Sequence, residues 1–407
     1  MADLNNWTQL RVSIEVESPL LLGDQRSYGT YTPSRRRVPG SALRGALARS
    51  LGPDSTEFRT LFLDGEELLF GDCWPAPDLG TLSVPVPATA HTCKERPGFK
   101  PPPGDARRVI PPHGVFDTLV RTLVYDEVLE AQLPLPLIYE PRCPECGNAA
   151  TTSDVLAMYR GDTDWHRSEV KVRRGSRTAI GRRRSVAEDE MLYTLESICP
   201  ETIFTGIVRL PATKTDVLLN ALPKLTQLGT ARSRGMGRVT VEGWRRVVRW
   251  SGADADVLQR LERFNDAIQQ ERDYYGVLTD QPLSDDGWYL PLLLLSDAFL
   301  VQAGTPSLTI AATDLGLPAS AKVPFVRAWT RGRVIGGWHQ AAGLPRRTRL
   351  AAPAHSIFVF RVEGLALNDP AVKQALEKLE MFGLGDNRER GMGQIAVCIP
   401  FHYEEVG

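Results

Sequence analysis

The chain has 407 residues, 42% of them apolar and 24% charged, with a net charge of -1. That length allows two or three domains with substantial cores, the composition argues against wholesale disorder, and the overall charge gives no sign of a polyanion partner. Six cysteines in so long a chain make no disulfide framework. The start MADLNNWTQL lacks a signal-peptide core, and the longest apolar run, around Leu290–Leu295, is too short to span a bilayer. The expectation is a cytoplasmic protein without a membrane partner.

Along the chain, Gln9–Leu22 alternates and then runs apolar, as a strand ending at Pro19 and Gly23 does. Gln25–Pro39 is polar, aromatic and basic and reads as a loop or hairpin. A helix over Ala42–Leu51 follows, with Ser41 as its N-cap. Proline and glycine crowd Pro75–Pro112, and Cys143–Asn148 lies in a second irregular stretch, so an insertion over about 73–150 is expected in a first domain of residues 1–250. Arg167–Arg184 carries eight Lys or Arg against one Glu169 and reads as a basic hairpin, within about 166–190, with Ile180 near its tip. Leu192–Val208 restores a strand-like pattern. Asp254–Tyr275 is a polar helix with alternating charges, placed in a helical linker of residues 251–286. The second domain, 287–407, contains a strand at Ile357–Val362 and a helix at Asp369–Phe382.

The segment Leu228–Val241 (LGTARSRGMGRVTV) returns as Leu384–Val397 (LGDNRERGMGQIAV), each preceded by a helical pattern. Repetition of helix, glycine- and arginine-rich loop and strand implies two related domains. The common order of strand, helix, strands, helix, loop and strand suggests an α+β fold of two tandem ferredoxin-like domains. Glycines at 235 and 237, and at 391 and 393, permit positive φ and close backbone approach to a ligand, and Arg232, Arg234, Arg388 and Arg390 offer guanidinium forks to phosphate. The same glycines can instead pack a helix tightly on a sheet. Arg26–Arg49 holds six arginines and no acid. Within it Arg35, Arg36 and Arg37 precede Gly40, Ser41 and Arg44 at a helix N-terminus, where N–H groups suit an anion. The hairpin adds Arg177 and Arg182, and Arg331 and Trp338 combine basic and aromatic side chains, as a base-stacking surface does. Cys143-Pro144-Glu145-Cys146 has the spacing of a zinc knuckle. Cys93 and His113 are its expected partners, with Cys73 and His91 in reserve, and structural zinc would staple a segment poor in regular structure.

These motifs together resemble the RAMP superfamily of CRISPR-associated proteins. Val38-Pro39-Gly40-Ser41-Ala42-Leu43-Arg44-Gly45 is similar to that family's helix start. Thr178-Ala179-Ile180-Gly181-Arg182, Leu192-Tyr193-Thr194-Leu195-Glu196 and Phe204-Thr205-Gly206 are similar to its hairpin and strands. The two glycine loops and Gly336-Gly337-Trp338 extend the likeness over most of residues 9–250 and 287–400. The resemblance is greatest to the two-domain subunit of type III-D effector complexes, through Thr89–Phe99, His113–Leu119 and the Cys143/Cys146 pair. It implies RRM-like RAMP domains and a non-catalytic ribonucleoprotein subunit for antiviral defence. Such a subunit caps the 5′ handle of the crRNA and docks a large polymerase-like subunit and backbone RAMP subunits, meeting target RNA only indirectly. Gly181 stands where backbone subunits have a catalytic Asp, so target cleavage is not carried over. Two alternatives remain: a metal-independent endoribonuclease maturing precursor crRNA, with His166, His339 and Tyr28 as candidate acid and base, and a zinc-containing scaffold with no RNA role.

Overall fold

The computed structural model of the chain describes residues 4–23, 30–101, 110–133, 139–161, 164–180, 187–279, 283, 287–339 and 343–404. In chain order the elements that place the candidate sites begin with strand β1 (Trp7–Val16), helix α1 (Gly40–Leu51), strand β2 (Leu69–Phe70) and helix α2 (Leu119–Glu130). Hairpin strands β3 (Val172–Ile180) and β4 (Ala187–Ile198) come next, then strand β5 (Ile203–Pro211), helix α3 (Thr215–Ala221), strand β6 (Val239–Trp244) and helix α4 (Val257–Thr279). The second half contributes strands β7 (Trp288–Leu294), β8 (Phe325–Trp329) and β9 (Ile357–Val362), helix α5 (Pro370–Phe382) and strand β10 (Ile395–Val397).

The chain is a mixed α/β protein with one main antiparallel sheet in each half. The first has the order β6-β1-β5-β2 and the second the order β10-β7-β9-β8. In both, the first strand of the half lies between its last and its third, and the second strand lies outside the third. The correspondence reaches single hydrogen bonds. Val16 N–H donates to Thr202 O at 3.0 Å where Leu294 N–H donates to Ser356 O at 2.9 Å. Glu201 N–H returns to Val16 O at 2.8 Å where His355 N–H returns to Leu294 O at 2.9 Å. Glu201 and His355 also share a positive φ, 65° and 75°. The halves therefore repeat well beyond the glycine loops.

Local sequence explains most of this. Leu10, Val12, Ile14 and Val16 alternate along β1 and are all buried against Leu43, Ala46 and Leu47 of α1, which recur at helical spacing. Asp369 caps α5 by accepting from Ala371 N–H, with Pro370 at the first helical position. Three expectations need correction. β1 ends at Val16, because Pro19 and the 17–22 segment turn out of the sheet. Pro39, not Ser41, is the N-cap of α1, so Ser41 falls in the first turn. The second half has a 3-10 turn, Ala312–Leu315, between β7 and β8 where the first half has α1.

Near the middle of each sheet both faces are covered, while the edge strands stay open on one face, with Thr240, Glu242 and Trp244 of β6 and Phe325 of β8 exposed. Across the face of the first sheet opposite α1, Ser13 Oγ and Thr205 Oγ1 donate to Leu79 O and Thr81 O. Every residue of β7 is buried. Leu261, Phe264 and Ile268 of α4 join its core, together with Ala90, Val115, Leu119 and Leu123 of the insertion. The insertion thus shares its core with the second half, although it branches from the first.

Candidate nucleic-acid interface and metal centre

The two glycine loops have the same backbone. Ala231 and Asn387 are left-handed, 3-10 turns Arg232–Arg234 and Arg388–Arg390 follow, and Gly235 and Gly391 are left-handed again. Leu228 N–H donates to Gly237 O at 2.8 Å, and Leu384 N–H to Gly393 O at 2.9 Å. A Cβ on Gly237 would overlap Leu228 O and one on Gly393 would overlap Leu384 O, so these glycines close the loop on itself. That corrects the expectation of a ligand at Gly237, which is buried.

What surrounds the loops differs. A Cβ on Gly235 would meet nothing within 4 Å, whereas one on Gly391 would overlap Phe70 O and lie 3.0 Å from Gly40 Cα. The second loop is shut against the start of α1. At that joint Gly40 N–H donates to Asp72 Oδ1 at 2.9 Å. Arg37 bridges Asp72 at 2.9 Å and Asp297 at 2.7 Å, over the Trp74 ring at 5.1 Å, while Trp74 Nε1 donates to Leu295 O at 3.0 Å. Arg37 and Gly40, expected at the RNA, are instead inside the junction between the halves, because two buried carboxylates hold the guanidinium and one of them caps the helix. Burial lifts the Asp72 carboxyl to about 6 against the pull of Arg37. Burial also raises Asp297, but there Arg37 prevails and brings it down to about 2.

A raised carboxyl gives stability that is complete below its unfolded value of about 3.9 and is lost as pH rises through about 6. The stability difference between wild type and Asp72→Asn is therefore expected to shift by on the order of 2–3 kcal/mol between pH 4 and 6 and to stay flat above it. Urea unfolding at stepped pH measures this. Asp297, being depressed, acts in a separate window, its contribution fading only as pH falls below 4 toward about 2.

Charge separates the loops further. The open loop carries Arg232, Arg234 and, just beyond, Arg238, with no acid between Gly229 and Val239. In the shut loop Asp386 pairs with Arg349 at 2.5 Å and Glu389 with Arg390 at 3.2 Å; Arg388 is exposed. Arg234 Nη1 donates to Tyr193 Oη at 2.9 Å, and Tyr193 faces Arg177 across the β3–β4 hairpin. Tyr31 pairs beside Thr194, its ring under Arg174 at 5.7 Å. The first loop, the hairpin and the 31–36 segment thus form one cationic surface with two tyrosines. Neither tyrosine stood among the residues expected to bind; an aromatic residue inside each basic or hairpin motif was the available signal.

The other expected residues scatter. Arg36 and Arg331 are exposed, and Arg35 and Ser41 are half-buried. Arg44 lies over the Phe62 ring at 5.4 Å. Partial burial, then Arg390 and Arg44, lower the Arg346 guanidinium, which places a further cation near the second loop. Arg182, Gly181 and Tyr28 lie outside the described residues, as do the side chains of Ile180, Trp338 and His339. His166 is buried beside Tyr159, ring centroids 5.5 Å apart.

In the insertion Cys93, His113, Cys143 and Cys146 converge, with ligand atoms all within 4.8 Å of one another, and could hold a metal ion. Cys93 ends a strand, Ala90–Cys93, that pairs with Val115–Asp117 and Ala150–Thr152. The turn at Cys143–Cys146 is closed by Gly147 N–H to Cys143 O at 2.9 Å. Cys93 Sγ and Cys146 Sγ are 3.7 Å apart, and Cys143 Sγ and His113 Nδ1 3.4 Å. Metal–sulfur bonds of about 2.3 Å in a tetrahedron separate two sulfurs by about 3.8 Å, so the donor set fits. Burial raises the Cys93 thiol, yet the backbone N–H groups of Arg96 and Glu95 outweigh it and bring it below its usual value. Glu145 stands 3.8 Å from His113 Nε2 and is held by Lys100 at 2.6 Å, the kind of outer contact that orients a histidine ligand. Cys73 and His91, the reserves, lie elsewhere: Cys73 is in the first core, and His91 Nδ1 meets Thr89 O.

No protein-family model and no curated protein matches the chain. Among solved structures, a chain of the type III-B Cmr-beta complex bound to cognate target RNA is 14% identical, with 58% of this chain and 96% of that one covered and a TM-score of 0.30. A chain of the same complex with target RNA and AMPPnP is 12% identical, with 86% of each covered and a TM-score of 0.34. A chain of its apo state is 14% identical, with 59% and 99% covered and a TM-score of 0.29. Scores this low do not identify a shared fold, and the functional reading stands on the residues.

Proposed function

We propose that the chain is a non-catalytic RNA-binding and assembly subunit of a type III, III-D-like CRISPR effector complex. Its two units are ferredoxin-like domains, a reading supported by the strand order shared by both sheets. The open glycine loop and the basic hairpin hold the repeat-derived 5′ handle of the guide RNA, while other faces dock the large polymerase-like subunit and the first backbone subunit. The contrast between the loops carries the reading. Two loops of one backbone have diverged so that the one shut against protein carries acids and the one open to solvent carries only arginines. Since other segments of the chain cover the middle of each sheet, where an RRM stacks its bases, contact falls on the loop, the hairpin and their tyrosines.

Fluorescence anisotropy with a labelled repeat-derived handle RNA, followed by crosslinking and peptide mapping, tests the proposal. Crosslinks to residues 173–177, 193 and 232–238 on intact RNA support it. Absence of binding, or crosslinks elsewhere, overturns it, and metal-independent cutting of the RNA would replace it with the endoribonuclease reading.

The metal of the Cys93–His113–Cys143–Cys146 site is, on this proposal, a structural zinc that supplies cross-linking and no chemistry. Cys93 and His113 adjoin strands whose Ala90 and Val115 sit in the core of the second half, so zinc would tie the insertion to that core. One zinc per chain is expected by elemental analysis. Cys143→Ser or chelation removes binding energy on the order of 10 kcal/mol, and the insertion is expected to become protease-sensitive between Cys93 and Cys146 while the first sheet stays protected.

A further inference from the structure

The two sheets are repeats, yet their outer edges end differently. In β10, Val397 pairs with Leu292 of β7 and directs its own polar groups outward. Its N–H donates to Glu380 Oε1 at 2.9 Å, and its C=O accepts from Arg260 Nε at 3.1 Å. Glu380 and Arg260 pair with each other at 2.8 Å. Side chains of α5 and α4 thus close the edge of the second sheet.

β6 is the corresponding strand of the first sheet, with Val241 opposite Ile14 in the corresponding register. Antiparallel pairs alternate between inward and outward backbone groups, so Val241 N–H and C=O also point outward. The edge is covered at its start, where Val239 N–H donates to Thr226 O at 3.1 Å. Beyond that, no side chain among the described residues takes the place that Glu380 holds in the second half. α3 ends at Ala221 and its 3-10 extension at Lys224, whereas α5 runs on to Phe382 and so brings Glu380 to its edge. Among the described residues no counterpart of Arg260 reaches this edge either, because α4 packs on the second half. A groove of about 270 Å³ runs along β6 instead, lined in part by Glu17, Gln227, Arg238, Thr240 and Glu242.

We propose that the outer edge of β6, from Val241 to Trp244, receives an extended segment of another protein, added as a further strand of the first sheet. A peptide backbone supplies the donors and acceptors that Glu380 and Arg260 supply in the second half. RNA is the poorer occupant, since Glu17 and Glu242 outnumber Arg238 in the groove and repel phosphate. Thr240, Glu242 and Trp244 project from the exposed face of the strand. The incoming segment therefore has Lys or Arg facing Glu242, flanked by a β-branched residue and an apolar one. This inference is independent of RNA binding at the glycine loop.

Hydrogen exchange by mass spectrometry tests it, on the free chain and on the assembly recovered from source cells through a tag on this chain. In the free chain, Val241–Trp244 is expected to exchange roughly 100-fold faster than Ile395–Val397. In the assembly that difference disappears. Val241→Pro deletes an outward N–H but also replaces a buried core side chain and fixes φ, whereas Glu242→Lys reverses the charge without touching the backbone. Each is expected to prevent the protection and loss of the partner is expected with it, while handle-RNA binding stays unchanged; the second variant decides if the proline lowers Tm. Four results overturn the proposal: protection already present in the free chain, an edge still unprotected in the assembly, protection conferred by RNA alone, or protection that rises with the concentration of the free chain, which would assign the edge to a second copy.

Discussion

Arg37→Ala is expected to destabilise the chain by about 3–5 kcal/mol, because it leaves the two buried carboxylates of Asp72 and Asp297 facing each other without the cation that bridges them. The loss should far exceed that of Arg36→Ala, one residue away but exposed, which is expected within about 0.5 kcal/mol of wild type. The triple variant Arg37→Met, Asp72→Asn, Asp297→Asn should recover much of the loss, since a buried ion cluster replaced as a unit costs far less than one broken by removing a member. The same cluster joins the first half, through Asp72 and Gly40, to the second, through Asp297. Urea unfolding followed by fluorescence should therefore show Arg37→Ala splitting a single transition into two. A variant that unfolds like wild type but binds RNA more weakly would return Arg37 to the RNA surface.

Arg37 also shows where reading the sequence stops. A run of three arginines before a helix start has the composition of a phosphate clamp, and nothing local separates the third from the first two. Its fate depends on Asp297, far along the chain, and on Asp72, whose carboxylate replaces the cap expected from Ser41. The loops were legible for the opposite reason. Gly237 and Gly393 are required by a carbonyl nine residues earlier in the same loop, so the requirement is written into a short segment and survives in both copies. The metal cluster was legible because cysteine and histidine are scarce in this chain, and a two-residue spacing at Cys143 and Cys146 leaves few partners. By contrast, the packing of the insertion and α4 against β7 arises from apolar residues with no pattern that names their partner.

Replacing Arg232 and Arg234 together by alanine is expected to weaken handle-RNA binding by on the order of tenfold in moderate salt, and to reduce the slope of log affinity against log salt by about 1.4, since each phosphate contact to a single strand contributes about 0.7. Replacing Arg388 and Arg390 offers a matched control, because the two loops share a backbone and an arginine spacing. In the second loop Arg390 is paired with Glu389, and the glycine beside it meets Phe70 and Gly40 rather than solvent. Its double variant is expected to change the slope by less than about 0.7, one contact at most. Tyr193→Phe removes the hydroxyl that accepts from Arg234 while leaving a ring for stacking, so it should lower affinity less than Tyr193→Ala, with little change in slope. If the two loops lose affinity and slope equally, their difference in charge and exposure has no bearing on RNA, and the handle would have to lie along the side of the junction where Arg390 and Arg44 both act on the Arg346 guanidinium. If only the first loop responds, the divergence of the repeats has a physical meaning: one copy of an inherited loop became a joint between domains, and the other kept its arginines for a polyanion.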